Sequence, residues 1–237
     1  GNSIAFDVTN SLNASMGNNS PRDFYCGTLR FAQNTSNLTF AKGFERLGFT
    51  KFLNVALGAE FRHERYRIEA GEEASWRDYN APNTPPAQVK AAGVQVFGGF
   101  RPSNAVDQNR TNLGLFADVE SDLTDRLLMS AALRYENYSD FGSNVSGKVV
   151  GRYKFSDAFS LRGGISRGFR APSLHQQYYS AVATQFITVG GVNQQREVTT
   201  VRNDADITQR LGIPALEPET SLNYSLGATS NLFNRLL

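Results

Sequence analysis

Residues 51–68 read Lys51-Phe52-Leu53-Asn54-Val55-Ala56-Leu57-Gly58-Ala59-Glu60-Phe61-Arg62-His63-Glu64-Arg65-Tyr66-Arg67-Ile68. Side chains on a strand change face at every residue. Leu53, Val55, Leu57, Ala59 and Phe61 therefore share an apolar face, with Asn54, Ala56, Gly58, Glu60, Arg62 and Glu64 opposite. Five alternate residues at ~3.3 Å per residue cover roughly 27 Å, and a tilt of about 40° leaves a rise of ~20 Å, near the height of the apolar band of a membrane barrel. After Phe61 the apolar face becomes His63, Arg65 and Arg67, as if the strand had left the membrane. A soluble sandwich, whose strands run ~5–6 residues, gives no reason for such length or for a change of character partway.

A second stretch, 159–174, repeats the pattern. Phe159, Leu161, Gly163 and Ile165 face one way, and Ser160, Arg162, Gly164 and Ser166 the other. Arg167-Gly168-Phe169-Arg170 carries this strand to a charged end, and Pro172, which has no N–H to donate, stops the pairing. A polar stretch of about forty residues follows, and another strand opens after Glu217-Pro218-Glu219.

These residues carry a resemblance. Gly168-Phe169-Arg170-Ala171-Pro172-Ser173-Leu174, then Leu216-Glu217-Pro218-Glu219-Thr220-Ser221 and Tyr224, resemble the barrel domain of TonB-dependent outer-membrane receptors. In that family a similar strand end and strand start flank one long extracellular loop. Asn10-Ser11-Leu12-Asn13-Ala14-Ser15 and Ala59-Glu60-Phe61-Arg62 are similar to the family as well, so the resemblance covers most of the chain. It implies a plugged transmembrane barrel of about 22 strands in the outer membrane of a Gram-negative bacterium. It also implies uptake of a scarce, bulky solute: an iron-siderophore, a cobalamin or an oligosaccharide. The implied partners are outer-membrane lipid, the protein's own plug domain, the TonB complex acting through that plug, and the small-molecule or oligosaccharide ligand.

Composition is compatible with this reading. Hydrophobic residues are 40% of the 237 and charged residues 19%, too apolar for disorder and without the bias of a nucleic-acid binder. A net charge of +2 gives no reason to expect an acidic partner. No stretch approaches the ~20 apolar residues of a membrane helix, so any spanning structure must be built of strands. Gly1 opens no signal peptide, and an exported protein lacking one is expected to have been processed or cut. Cys26 stands alone, which leaves no disulfide framework.

Alternation elsewhere completes eight strands, expected at 3–9, 27–41, 51–68, 111–123, 127–138, 145–155, 159–170 and 221–232. The strand at 27–41 is polar on both faces through Gln33-Asn34-Thr35-Ser36-Asn37, and the last has Leu232 on its apolar face. Connections at 43–50, 124–126 and 156–158 are tight, and those at 10–26, 71–110 and 171–217 are long; 139–144 is a short exception. Short periplasmic turns and long extracellular loops are the asymmetry of outer-membrane barrels. Phe40, Phe52, Phe155, Phe159 and Phe233, near the tight turns, suit an aromatic girdle, and Asn234-Arg235 reads as a further turn. The fold class is all-β: an antiparallel up-and-down meander of about eight long strands. A free eight-strand arc leaves two open edges that lipid does not tolerate. The chain is therefore expected to be a segment of a larger barrel domain, with plug, TonB-contacting box and closing strand having no counterpart in it.

No catalytic constellation, cofactor site or metal site emerges. His63 and His175 are far apart in the sequence. Gly163-Gly164 with Gly168 lacks the Gly-Lys-Ser/Thr ending of a phosphate loop. The informative feature is the polar face: Glu60, Arg62, Asp118, Glu120, Arg134, Glu136, Lys148, Arg152 and Arg162 alternate with apolar residues. They read either as the solvated face of a sandwich or as a barrel lumen that docks a plug through charge pairs, and the resemblance favours the lumen. Ligand recognition belongs to loops on a rigid scaffold. The candidates there are Trp76, Arg77 and Tyr79 in one loop and His175, Tyr178, Tyr179 and Arg196 in the other, alongside Gln176 and Gln177. Such aromatics suit stacking on a sugar or on the periphery of a siderophore, and equally suit packing at a loop base. Two other readings stay open: a soluble secreted β-sandwich with a carbohydrate-binding or adhesive role, and a passive porin.

Overall fold

The computed structural model describes residues 1–48, 50–85, 88–95, 97–189 and 192–230. Among these residues ten strands run in chain order: β1 (Asn2–Val8), β2 (Phe24–Leu47), β3 (Thr50–Ala70), β4 (Val106–Asp122), β5 (Leu127–Tyr138), β6 (Gly142–Ser156), β7 (Phe159–Arg170), β8 (Ala181–Val189), β9 (Val192–Thr200) and β10 (Glu219–Ser230). Eight form one sheet in the order β1-β2-β3-β4-β5-β6-β7-β10, an up-and-down meander broken only by the excursion between β7 and β10. The expected count of eight long antiparallel strands is what this sheet contains.

Several expected boundaries move. The segment 27–41 is part of a 24-residue strand, because a backbone ladder to β3 forms whether or not the side chains alternate. The turn expected at 43–50 contracts accordingly, since β2 ends at Leu47 and β3 begins at Thr50. β4 starts at Val106 rather than 111, its first residues disguised by Asp107, Gln108 and Asn109. The loop expected at 171–217 is not structureless: it holds a helix α2 (Leu174–Tyr178), the two-stranded sheet β8-β9 and a helix α3 (Asp206–Arg210). Phe233, Leu232 and Asn234-Arg235 lie outside the described residues.

The chain groups into two compact units. One comprises Asn34–His63, Arg110–Pro172 and Glu217–Leu237. Here the register keeps the two faces in phase across strands. Val119 pairs with Ala131, Ala131 with Val149, Val149 with Ile165 and Ile165 with Tyr224, an apolar row over five strands. The row beside it, Asp118, Ala132, Lys148, Ser166 and Asn223, is mainly polar. The apolar face has no second sheet packed on it among the described residues. Leu57 is 53% exposed and Leu133 57%, whereas Asn112 on the polar side is buried. This arrangement overturns the sandwich, which requires the same leucines buried between sheets.

Tyr153, Phe155 and Phe159, three of the aromatics near a tight turn, pack in a chain with centroids 4.8 and 5.7 Å apart.

The other unit comprises Gly1–Gln33, Glu64–Asn109 and Ser173–Leu216 and has an ordinary protein core. Phe100, 1% exposed, stands edge-on to Phe6 and Phe97 at 5.7 and 5.2 Å and to Tyr179 at 6.3 Å. Tyr66, Ile68, Val106 and Leu174 surround it. Phe24, Cys26 and Val94 form a second cluster. Three backbone segments close in on one point: the Phe100 N–H donates to the Cys26 carbonyl at 2.8 Å, and that of Gly71 to Phe100 at 2.9 Å. Gly27 permits this. Its φ is +107°, and a Cβ there would lie 2.5 Å from the Glu69 carbonyl oxygen.

Two outcomes are expected. Gly27→Ala combines a left-handed backbone with a backbone collision and destabilises the protein by about 1–3 kcal/mol, read from urea unfolding. Burial, then Glu72 and Asp7, pushes the Cys26 thiol up to about 11. A group whose folded-state value is raised contributes stability below its unfolded value and loses it as pH rises through the folded one. The thiol contribution is thus present at neutral pH and disappears between its ordinary value of 9.0 and about 11. A maleimide at pH near 7 is expected to leave Cys26 unlabelled until the protein is denatured.

Candidate functional site

The two phrases that flank the long excursion meet in space. Arg170, the last residue of β7, pairs with Glu219, the first of β10, and their side chains form an ion pair at 2.8 Å. Below them Phe169 packs on Tyr138 with centroids 5.8 Å apart. Pro172 ends the ladder, and its carbonyl oxygen accepts from Arg110 Nη1 at 2.7 Å. The Arg110 guanidinium, buried on β4, also lies 5.2 Å from the Tyr138 ring centre and 3.5 Å from Asp140. One arginine thus holds together the end of β7 and the β5–β6 turn.

The excursion then builds a small aromatic site. Ser173 opens α2 with a capping box, accepting from the Gln176 N–H at 3.2 Å while its own N–H donates to Gln176 Oε1 at 2.8 Å. This fixes His175 beside Tyr66, whose hydroxyl is 3.0 Å from Nδ1. Burial, then the neighbouring Tyr179, pushes the Tyr66 phenol up, so it stays protonated and hydrogen-bonded at neutral pH. Tyr179 stacks at a tilt on His175 with centroids 4.8 Å apart. Tyr178 packs against the Phe100 cluster. His175 is exposed on this support, and Tyr178 and Tyr179 are half-buried.

Trp76, Arg77 and Tyr79 form a separate group. Trp76 belongs to a helix α1 (Glu73–Trp76) and donates its indole N–H to the Gly71 carbonyl at 3.2 Å. Arg77 pairs with Glu73 and lies 5.6 Å from the Tyr79 ring centre. Buried Asn13 fastens this loop, donating to the Ala74 and Arg77 carbonyls at 2.9 Å each. Tyr79 lines a polar cleft with Ser15, Met16, Asn80, Gln88 and Lys90. Arg196 sits in β9 at the register position opposite Gln185. Its neighbour Glu197 pairs with Arg101 at 2.5 Å, and Asn104 donates to Ser180 at 3.0 Å, so the two long loops are tied to each other.

On the polar face, four of the expected residues come together. Glu60 accepts from Arg62 at 2.6 Å and pairs with Arg134 at 3.2 Å, and Arg134 also reaches Glu136 at 3.1 Å. Glu60 belongs to β3 and Arg134 to β5, so the guanidinium must cross β4. Gly114 lets it: a Cβ there would stand 2.9 Å from Arg134 Nη2. Among the described residues, Asp118, Glu120, Lys148, Arg152 and Arg162 join no ion pair of this kind. Arg152 stands directly opposite Arg162 in the ladder, and Arg162 lies over Gly227.

Sequence reasoning missed Tyr66, Phe100, Arg101, Arg110 and Gly114. Tyr66 had a signal: beyond Glu64 it is the even positions, Tyr66 and Ile68, that turn apolar. The others depend on contacts distant in sequence. Among the described residues, no three His, Cys, Asp or Glu side chains cluster as metal ligands would.

Residues 2–237 match the family model described as "TonB dependent receptor-like, beta-barrel". Over 152 residues the chain is 30% identical to the Ferrienterobactin receptor of Escherichia coli (strain K12), covering 58% of this chain and 18% of that protein. Over 70 residues it is 30% identical to the Vitamin B12 transporter BtuB of Vibrio cholerae, covering 30% of this chain and 11% of that one. Among solved structures, the siderophore receptor PirA from Acinetobacter baumannii superposes with a TM-score of 0.55 at 18% identity, covering 90% of this chain and 26% of that one. A mutant of the ferric enterobactin receptor PfeA from Pseudomonas aeruginosa gives 0.55 at 18%, covering 97% and 29%. The chain spans less than a third of the length of each of these proteins, and at such identities the structural likeness carries the fold. By the match over nearly its whole length, the chain belongs to the TonB-dependent receptor-like β-barrel family.

Proposed function

We propose that this chain is a wall section of an outer-membrane receptor that takes up a scarce, bulky solute by TonB-dependent transport in a Gram-negative cell. The observation that carries the reading is the apolar row over five paired strands, left exposed while the opposite face is polar and charged. In water such a face costs roughly 25 cal/mol per Å², and in a bilayer it costs nothing. The iron-siderophore and cobalamin alternatives gain support from the names of the two curated relatives; an oligosaccharide is a third candidate. The role is transport, not catalysis.

In this reading the plug and the strands that close the barrel belong to other parts of a longer protein. Glu60, Arg62, Arg134 and Glu136 form a rigid, self-paired section of the lumen wall. Asp118, Glu120, Lys148, Arg152 and Arg162 offer charge to the plug. Arg152 and Arg162, like charges directly opposite, gain most from an acidic neighbour. Trp76, Arg77, Tyr79, His175, Tyr178, Tyr179 and Arg196 contribute to the ligand-facing loops. The tie between Arg101 and Glu197 supports a joint action of the two loops.

The full-length receptor is expected in the outer-membrane fraction, with gel mobility that shifts on boiling. A soluble protein with no shift would overturn the reading. Leu57→Arg, in the middle of the apolar face, is expected to lower barrel stability by about 2–4 kcal/mol. Asn54→Arg on the polar face is expected to stay within ~1 kcal/mol of wild type, both read from urea-dependent loss of the mobility shift. Equal effects would mean that the two faces do not meet different solvents.

A further inference from the structure

Tyr66 is buried, at 3% exposure. Among the described residues its hydroxyl has a single hydrogen-bond partner, Nδ1 of His175 at 3.0 Å. An imidazole nitrogen accepts only while it carries no proton. A proton on Nδ1 would be donated to the Tyr66 oxygen and would leave the Tyr66 hydrogen without an acceptor, buried away from water. The bond therefore runs one way: Tyr66 donates, Nδ1 accepts, and the ring proton sits on Nε2. Burial raises the phenol and keeps its hydrogen in place for this bond.

The ring is braced on several sides. Tyr66 stands edge-on to it, with centroids 5.5 Å apart and planes at 88°. Tyr179 lies 4.8 Å from it at a tilt of 34°. The Tyr179 N–H donates to the His175 carbonyl at 3.0 Å, and the capping box of Ser173 fixes the start of α2. All of these residues except none belong to the same compact unit. Yet His175 is exposed, and among the described residues Nε2 has no partner. A histidine that served packing alone would engage both nitrogens inside the protein. This one engages Nδ1 and leaves Nε2–H available.

A ring N–H held in one direction loses little freedom when it meets a ligand. It donates and cannot accept, so it favours a ligand that brings an acceptor and disfavours one that brings a donor. Among acceptors a negatively charged oxygen makes the stronger bond.

We propose that Tyr66 is a positioning residue that fixes His175 as a one-way hydrogen-bond donor, through Nε2–H, to an anionic oxygen of the solute. This rests on the reading of loop 171–217 as ligand-facing, and it gives that site a ligand class.

The test uses the full-length receptor in lipid at pH 8 with isotope-labelled histidine. The His175 signals are those missing from a His175→Phe variant. Nitrogen NMR is expected to show Nε2 protonated and Nδ1 bare. Tyr66→Phe, with heat-modifiable mobility retained, is expected to populate both tautomers. A proton on Nδ1 in wild type, or an unchanged tautomer in Tyr66→Phe, overturns the proposal and leaves the reading of the loop standing. The ligand class is read with two probes that share a ring: benzoate, which offers an acceptor, and benzylammonium, which offers a donor. Benzoate is expected to shift the Nε2 signal, with a midpoint about fivefold higher in Tyr66→Phe, and benzylammonium to leave it in place. An equal response to both probes overturns the acceptor assignment. No response to either, with the tautomer as stated, means that the loop does not face ligand, and the reading falls together with the proposal.

Discussion

The structure depends on one constraint: a sheet whose apolar face, among the described residues, has no second layer packed on it must satisfy its backbone by strand pairing. Strands β4 to β7 and β10 do this with nearly continuous ladders, the one register shift lying at the tight turn between Lys154 and Phe159. Everything else follows from keeping the two faces in phase. A slip by one residue would send Lys148, Arg152 and Arg162 to the apolar side. Hence the glycines where side chains must cross a neighbouring strand, such as Gly114 under Arg134 and Gly227 under Arg162.

Strand β3 shows how one chain segment serves two environments. From Leu53 to Phe61 the odd residues are apolar, Leu57 and Phe61 exposed and the others half-buried, and the even ones include Glu60 and Arg62. From Glu64 onward the odd residues are charged, and the even ones, Tyr66 and Ile68, are buried. The hydrophobic phase inverts between His63 and Glu64, the same point at which the chain passes from one compact unit to the other. There the odd residues change from apolar to charged, and the even ones change from half-buried to the packed core around Tyr66 and Ile68. That packed core stabilises the unit that carries it by burial, whereas the unit of Asn34–His63, Arg110–Pro172 and Glu217–Leu237 is held by strand pairing.

Much of this was legible in the sequence, and the reasons are local. Alternation in 51–68, 127–138 and 159–170 is a short-range property, so those strands, their faces and their order could be read directly. The Arg170 and Glu219 phrases were legible as strand ends because proline punctuates both. What escaped was either polar or distant. The β8–β9 hairpin hid behind Gln194, Gln195 and Glu197, although Val182, Ile187 and Val198 carried β-propensity. The loop candidates divided: His175, Tyr178 and Tyr179 share one aromatic cluster, and Trp76, Arg77 and Tyr79 form another group. No pattern in either loop announces that division, because Tyr66 and Asn13, which create it, come from elsewhere in the chain.

The pairing of Arg170 with Glu219 has a further consequence. The ends of residues 171–218 are pinned across a single rung of the ladder, so the wall does not register how long the intervening chain is. Doubling a loop whose ends are already fixed costs only ~0.6 kcal/mol in closure entropy. A sheet built this way can exchange the whole intervening segment, as a cassette between two anchored posts, without altering the strands that hold its ends.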